Sequence, residues 1–194
     1  MSLYNEKLRR TKRGVQVMPT SDGENKHKVL EWYESIMPKT VLDIGAGEGT
    51  YAKLIDNSDL ADEAYWTAIE AWGPYVTKYK LGEIYNNVVI ADACYVDYSK
   101  INLGYSDLTI AGDVLEHMTK TESKELIQEL KKHSRNIIIS VPLLHLHQDA
   151  YKGNWFEKHI DHWHFNEMKA ELGKGVIDSV EGPTLGYFWW SSLE

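Results

Sequence analysis

Val41-Leu-Asp-Ile-Gly-Ala-Gly-Glu-Gly-Thr50 decides the fold. A short apolar run ends in glycines at alternate positions, Gly45, Gly47 and Gly49. A stretch with helical spacing (Tyr51, Ala52, Leu54, Ile55) follows. This is the pattern of a buried strand, a tight turn and a helix N-terminus. Glycines at the turn allow a sharp bend and let a ligand lie against bare peptide groups, and the first helical turn offers unpaired N–H donors. The spacing is G-x-G-x-G, not the G-x-G-x-x-G of a dinucleotide fingerprint. Glu48 stands inside the loop, where its charge would repel a pyrophosphate. The loop therefore suits a ligand without phosphates and disfavours nicotinamide-nucleotide chemistry.

Strand and helix signals alternate outward from this turn. Residues 24–37 carry an apolar stripe at Val29, Leu30, Trp32, Tyr33, Ile36 and Met37, closed by Pro38, and predict a helix. Short apolar runs at 66–69, 88–91, 108–111 and 136–141 predict four more strands, with helices expected around 75–81 and over 121–133. Thr121 followed by Glu122 suits the start of the second of these helices. Parallel strands need long crossovers, so the alternation predicts an α/β fold with a mostly parallel sheet and helices on both faces. The tail breaks the rhythm. After a helix at 166–172, β-rich runs at 176–180 and 185–190 flank Glu181-Gly-Pro-Thr184 and predict an antiparallel pair at the end of the sheet.

The 194 residues suit one domain, taken as 24–194, with 1–23 as a basic N-terminal arm. Residues 1–14 hold Lys7, Arg9, Arg10, Lys12 and Arg13 against Glu6, a local +4 within a chain of net charge −8. The remaining acidic surface argues against a general nucleic-acid binder, and a short charged arm is most simply a solvated segment. No apolar stretch approaches the ~20 residues of a membrane helix, and the start lacks the apolar core of a signal peptide. A cytoplasmic protein is expected. Cys94 is the single cysteine, so an intrachain disulfide and a thiolate metal cage are both excluded.

Acidic residues stand at the ends of the later strands: Glu70 after the second, Asp92 after the third, Asp113 after the fourth. Ligands of open α/β sheets bind beyond the carboxyl ends of the strands. A carboxylate in the place of Glu70 can accept ribose hydroxyls, and one in the place of Asp92 can take an adenine amino group. Any one of them alone is as readily a cap or a solvated loop residue; their common placement carries the weight.

Over roughly residues 25–190 the sequence resembles the class I S-adenosylmethionine-dependent methyltransferases. The resemblance rests on Val41-Leu-Asp-Ile-Gly-Ala-Gly-Glu-Gly49, Glu70, Ala91-Asp-Ala93, Asp107-Leu-Thr-Ile-Ala-Gly-Asp-Val-Leu-Glu-His117 and Ile137-Ile-Ile-Ser-Val-Pro142. It implies a seven-stranded sheet with the last strand inserted antiparallel, and S-adenosylmethionine as cofactor. It further implies that Gly45, Ala46 and Gly47 line the methionine part and that Asp43 orients the loop. Glu70, with Ala71 beside it, would hold the ribose, and Asp92 with the Ala93 backbone would read adenine. Gly112 or Asp113 would lie near the methionine amino group and the reactive methyl. No Asn-Pro-Pro-Tyr tetrapeptide follows the fourth strand, which departs from the adenine-N6 and glutamine methyltransferases. The expected acceptor is a small molecule, sugar-like or another metabolite; the alternative is a non-catalytic cofactor-binding subunit that acts with a partner protein.

Residues 144–165 hold His145, His147, His159, His162 and His164 with Trp155 and Trp163. The stretch resembles the segment that covers the active site in a subgroup of these enzymes, which implies a lid. Three uses compete for its histidines: metal ligation with Glu157 or Asp161 joining, proton removal, and packing among aromatics. No spacing there is diagnostic of a metal, and none is assigned. For an acceptor hydroxyl or amine, His117 is the first candidate for general base and His145 the second, because an ordinary imidazole titrates near ~6.5.

Overall fold

The structure, a computed structural model, describes residues 24–60, 63–145 and 147–192. The basic arm lies outside the described residues. Strands β1 (Thr40–Ile44), β2 (Tyr65–Glu70), β3 (Asn87–Ile90), β4 (Ser106–Gly112) and β5 (Ser134–Pro142) run parallel to one another. Strand β7 (Leu185–Ser191) lies antiparallel between β5 and β6 (Val176–Glu181). The seven strands are ordered β3-β2-β1-β4-β5-β7-β6. The chain builds outward from β1 to β3, then returns to lay β4 on the other side of β1. This leaves a topological switch point between β1 and β4, where open α/β sheets bind ligands.

Strand alternation divides the core between the two faces. Leu42 and Ile44 of β1 join Ile69, Ile139 and Phe188 on one face, under α4 (Lys120–His133) and α5 (Phe165–Leu172). Val41 points the other way and packs with Ala68, Ile110, Ile138 and Tyr187 beneath α1 (Lys26–Ile36) and α2 (Thr50–Asp56). Asp43 shares that second face and is buried among apolar groups. A fully buried strand needs apolar side chains on both faces, so this one carboxylate is an exception with a reason, taken up below.

Two helix boundaries differ from the sequence reading. The segment expected to be helical over 75–81 divides into α3 (Gly73–Lys78) and a 3-10 turn, Leu81–Glu83. Lys80, at φ 54°, stands between them in the left-handed region, which no helix continues through. The long helix is capped by Thr119, not Thr121. Its hydroxyl accepts from the Glu122 N–H while the Glu122 carboxylate accepts from the Thr119 N–H at 2.8 Å, a reciprocal capping box. Leu126, Ile127 and Leu130 are its buried face, as the spacing predicts. The antiparallel tail forms as expected, with a register shift between Val176 and Asp178.

Residues 144–165 carry little regular structure beyond a 3-10 turn, Trp155–Glu157. Backbone bonds fix the segment onto the turn after β4: the Ile160 and Asp161 N–H groups donate to the Glu116 carbonyl at 2.8 and 3.2 Å. Trp163 is fully buried, with the Lys120 ammonium 4.1 Å above its ring. Among the described residues, no helix is long and apolar enough to cross a membrane.

Candidate functional site at the switch point

The glycine turn leaves β1 with Gly45, Gly47 and Gly49 at φ 68°, 53° and 79°, all in the left-handed region that glycine alone occupies freely. Their surroundings differ. A Cβ on Gly45 would stand 2.7 Å from Val114 Cγ2, so that glycine serves close packing. A Cβ on Gly47 would meet nothing nearer than the Gly45 carbonyl at 3.8 Å, so this peptide faces open space beyond the strand ends. Ala46 is buried, and its N–H and that of Gly45 both donate to the Ile69 carbonyl, at 3.2 and 2.9 Å.

Glu70 holds the loop from the end of β2. Its two carboxylate oxygens accept from the Gly47 N–H and the Trp72 N–H, each at 2.8 Å. Burial raises its pKa, and the two N–H groups oppose the rise. An ionised carboxylate offers about four acceptor positions, so acceptor capacity remains for a ligand hydroxyl. Ala71 follows, half-buried.

Asp43 stands behind the loop. The Tyr85 hydroxyl donates to Asp43 Oδ2 at 2.6 Å, and the Tyr85 ring lies 3.6 Å from where a Gly49 Cβ would be. The carboxyl thus acts on the loop through Tyr85. Burial pushes its pKa up to about 7, against the Tyr85 hydrogen bond and with help from the charge of Glu70.

After β3, Asp92 Oδ1 accepts from the Cys94 N–H at 2.9 Å and caps the turn Ala93–Tyr95, while the Ala93 carbonyl accepts from the Tyr98 hydroxyl at 2.8 Å. After β4, Gly112 packs under a ring: a Cβ there would lie 2.0 Å from Tyr51 Cε2. Asp113 adopts φ 52°, uncommon for a residue with a side chain, and is pinned twice to β5. Its N–H donates to the Ser140 carbonyl at 3.0 Å, and the Ser140 hydroxyl donates to Asp113 Oδ1 at 2.7 Å. The Tyr51 hydroxyl, 2.8 Å from Ser140 Oγ, completes the chain as donor. Tyr51 and Ser140 are site residues that sequence reasoning missed, because neither falls in a glycine or acidic motif.

Beyond Asp113 the turn places Glu116 and His117 against His159 of the 144–165 segment. One potential ligand atom from each lies within 4.8 Å of the others. Glu116 is buried, and its Oε2 makes no hydrogen bond. Burial first, then the charge of Asp113, raises its pKa well above the usual carboxylate range. His117 Nδ1 lies 3.2 Å from the Lys158 carbonyl, which only accepts, so that nitrogen carries the proton. Burial and the neighbouring His159 push its pKa down to about 4, so the ring is neutral at pH 7 and holds a second proton weakly.

His145 belongs elsewhere. It is exposed, and its ring meets His162 edge-on at 5.5 Å; His162 in turn meets His164 at 4.9 Å. The two histidines chosen from sequence for proton removal therefore have different ring partners, His159 for His117 and His162 for His145. Glu157 faces Tyr75 of α3, and its electrostatic neighbours include Glu70, which brings this part of the segment over the strand ends.

No protein-family model matches the chain, and no curated protein matches it in sequence. Solved structures do match. The N-terminal domain of EvdMO1, crystallised in the presence of SAH and D-fucose, is similar with TM-score 0.63 and 14% identity, covering 89% of this chain and 84% of that one. The methyltransferase domain of bacterial CtHen1-CN gives 0.62 and 16% over 86% of this chain and 96% of its own. Magnesium protoporphyrin IX methyltransferase (ChlM) from Synechocystis PCC 6803, with bound SAM, gives 0.59 and 16% over 85% and 76%. Strand order, the inserted antiparallel β7 and these likenesses agree: the chain has the class I methyltransferase fold.

Proposed function

We propose that the chain binds S-adenosylmethionine and transfers its methyl group to a small-molecule acceptor. One observation supports this most: the open face of Gly47, its N–H tied to buried Glu70, lies at the β1/β4 switch point of a methyltransferase fold. Phosphate-free polar groups fit such a cradle, and the adenosyl moiety has hydroxyls for the acceptor positions left on Glu70. Gly45, Ala46 and Gly47 would line the methionine part, with Glu70 and Ala71 at the ribose, Asp92 and Ala93 at adenine, and Gly112 and Asp113 near the amino group.

When bound, the cofactor supplies a methyl group already activated by its sulfonium. What remains for the protein is alignment, and orientation of this kind can remove up to ~7–11 kcal/mol of a barrier in model systems. The Tyr51–Ser140–Asp113 chain fixes the floor of the site, so the acceptor meets a preformed surface. Residues 144–165 act as the lid. Trp155 is 70% exposed and Phe156 44%, so neither fills the core and both offer apolar surface that a carbohydrate-like or aromatic acceptor could use. The presence of D-fucose with one similar domain supports a sugar-like acceptor. His117, neutral and half-buried beside the β4 turn, would accept a hydrogen bond from an acceptor hydroxyl, and His145 is the second candidate to take its proton.

The test has two arms. Calorimetry with S-adenosylhomocysteine should give 1:1 binding and NAD none; no heat with the former removes the reading. Transfer of labelled methyl from S-adenosylmethionine to a panel of deoxysugars and phenols should then give a product. Binding without transfer to any member would favour a non-catalytic cofactor-binding subunit.

A further inference from the structure

We propose that Glu116, His117 and His159 form a binding site for a first-row transition-metal dication, which ties the 144–165 segment to the turn after β4. The three side chains supply one carboxylate oxygen and two imidazole nitrogens, and the candidate atoms lie within 4.8 Å of one another. Donors ~2.1 Å from a tetrahedral ion stand roughly 3.4 Å apart, so the three atoms need to draw together by at most about 1.4 Å to hold one. Two imidazoles and a carboxylate suit zinc, cobalt or iron, and leave a coordination position open. Magnesium and calcium prefer all-oxygen sites.

Three further observations point to a cation. Glu116 is 3% exposed, yet its Oε2 has no hydrogen-bond partner. A buried carboxylate oxygen without a partner is costly, and a coordinated ion removes that cost. The electrostatic neighbours of Glu116 include Asp113 and Glu157, both of the same sign as Glu116. His117 Nδ1 faces the Lys158 carbonyl at 3.2 Å, the kind of backbone tie that orients metal-bound histidines, and the Asp113 backbone also lies within hydrogen-bonding reach of the ring. Lys158 immediately precedes His159, so one short stretch of the segment both orients one imidazole and supplies the other. The histidines at 145, 162 and 164 are a separate, more exposed group.

A bound ion would occupy the His117 lone pair and leave proton removal from an acceptor to His145; the test of the site needs no turnover. Tag-free protein stripped with chelator is titrated with Co2+, followed by visible d–d absorption, with Zn2+ competing. One ion per chain should bind, giving an intense low-symmetry spectrum that Zn2+ abolishes. Both E116Q and H159A should weaken binding at least about tenfold, while H162A should leave it unchanged. E116Q preserves shape, and H159A removes a side chain from an irregular segment, so circular dichroism can confirm that each is folded. If E116Q does not fold, H159A alone decides. Absence of 1:1 binding, binding unchanged in H159A, or binding lost in H162A alone would each overturn the proposal. Cofactor binding, read separately by calorimetry with S-adenosylhomocysteine, distinguishes failure of this site from failure of the methyltransferase reading.

Discussion

Glu70 Oε2 accepts the Gly47 N–H at 2.8 Å, so the end of β2 holds the turn after β1. The second oxygen takes the Trp72 N–H at 2.8 Å, which makes one buried carboxylate the acceptor for two loops. Replacing it by alanine strands both donors. Each buried unsatisfied group costs ~1–3 kcal/mol, so E70A should lose ~2–4 kcal/mol of stability in urea unfolding. It should also weaken S-adenosylhomocysteine binding at least tenfold in calorimetry. E70Q should be intermediate, since its NH2 must face one of the two N–H donors. Wild-type affinity in E70A would show that the clamp does not shape the ligand site.

Gly47 and Gly112 should fail in different ways when a Cβ is added. G112A drives a methyl group to 2.0 Å from the Tyr51 ring, itself buried against Ser140. Overpacking of this kind typically costs ~1–3 kcal/mol or more, and thermal unfolding should register it with or without ligand. The Cβ of G47V meets no protein atom nearer than 3.8 Å, and the left-handed φ adds a cost of ~1–2 kcal/mol. It should remain folded while calorimetry detects no S-adenosylhomocysteine binding. Retained binding would move the methionine site away from Gly47.

The fold was legible because its signals are local. Each strand is a short apolar run, and the glycine turn, the Gly-Pro turn before β7 and the stripe on α4 are all readable within a few residues. Boundaries slipped where two local rules competed. Thr119 and Thr121 both suit a cap, and the carboxylate of Glu122, three residues after Thr119, selects the former. Lys80 breaks α3 by a backbone angle that no composition announces. The strand-end residues Glu70, Asp92 and Asp113 were readable from placement alone. Their partners were not. Glu116 reads as a surface residue of a short turn until His159, from a distant irregular segment, is brought against it. Tyr51 reads as a core aromatic until its hydroxyl is seen on Ser140. Contacts between elements distant in sequence depend on packing, and periodicity does not encode them.

Ser140 relays a hydrogen bond from Tyr51 to Asp113 and holds an uncommon backbone conformation in place. S140A leaves the buried Tyr51 hydroxyl without its acceptor and removes one of two ties on Asp113. The expected loss is ~1–3 kcal/mol in denaturant unfolding. Y51F removes only the outer donor and should cost ~0.5–1.5 kcal/mol. In the double variant the losses should fall short of their sum, because residues in one hydrogen-bonded chain couple. Strict additivity would mean that the chain is not a unit.

Asp43 makes stability depend on pH with a definite sign. Its carboxyl titrates at 3.8 when unperturbed and about 7 in the fold, raised first by burial. Between those values the folded chain holds a proton that the unfolded chain has released, so folding is favoured by acid there. The contribution is complete below the unfolded pKa and is lost as pH rises through the folded one. Its full size is ~4 kcal/mol at ~1.36 kcal/mol per pKa unit. Other groups titrate as well: His117, with its pKa lowered from 6.5 to about 4, acts in the opposite sense over most of this window. The informative quantity is therefore wild type minus D43N, since asparagine can still accept the Tyr85 hydroxyl but cannot ionise. Urea unfolding at pH 4.5, 5.5, 6.5 and 7.5 should show the wild type losing stability relative to D43N at each step, by ~1 kcal/mol per pH unit. A difference that stays level across the series would mean that Asp43 is ionised in the fold throughout, and that Tyr85 outweighs its burial.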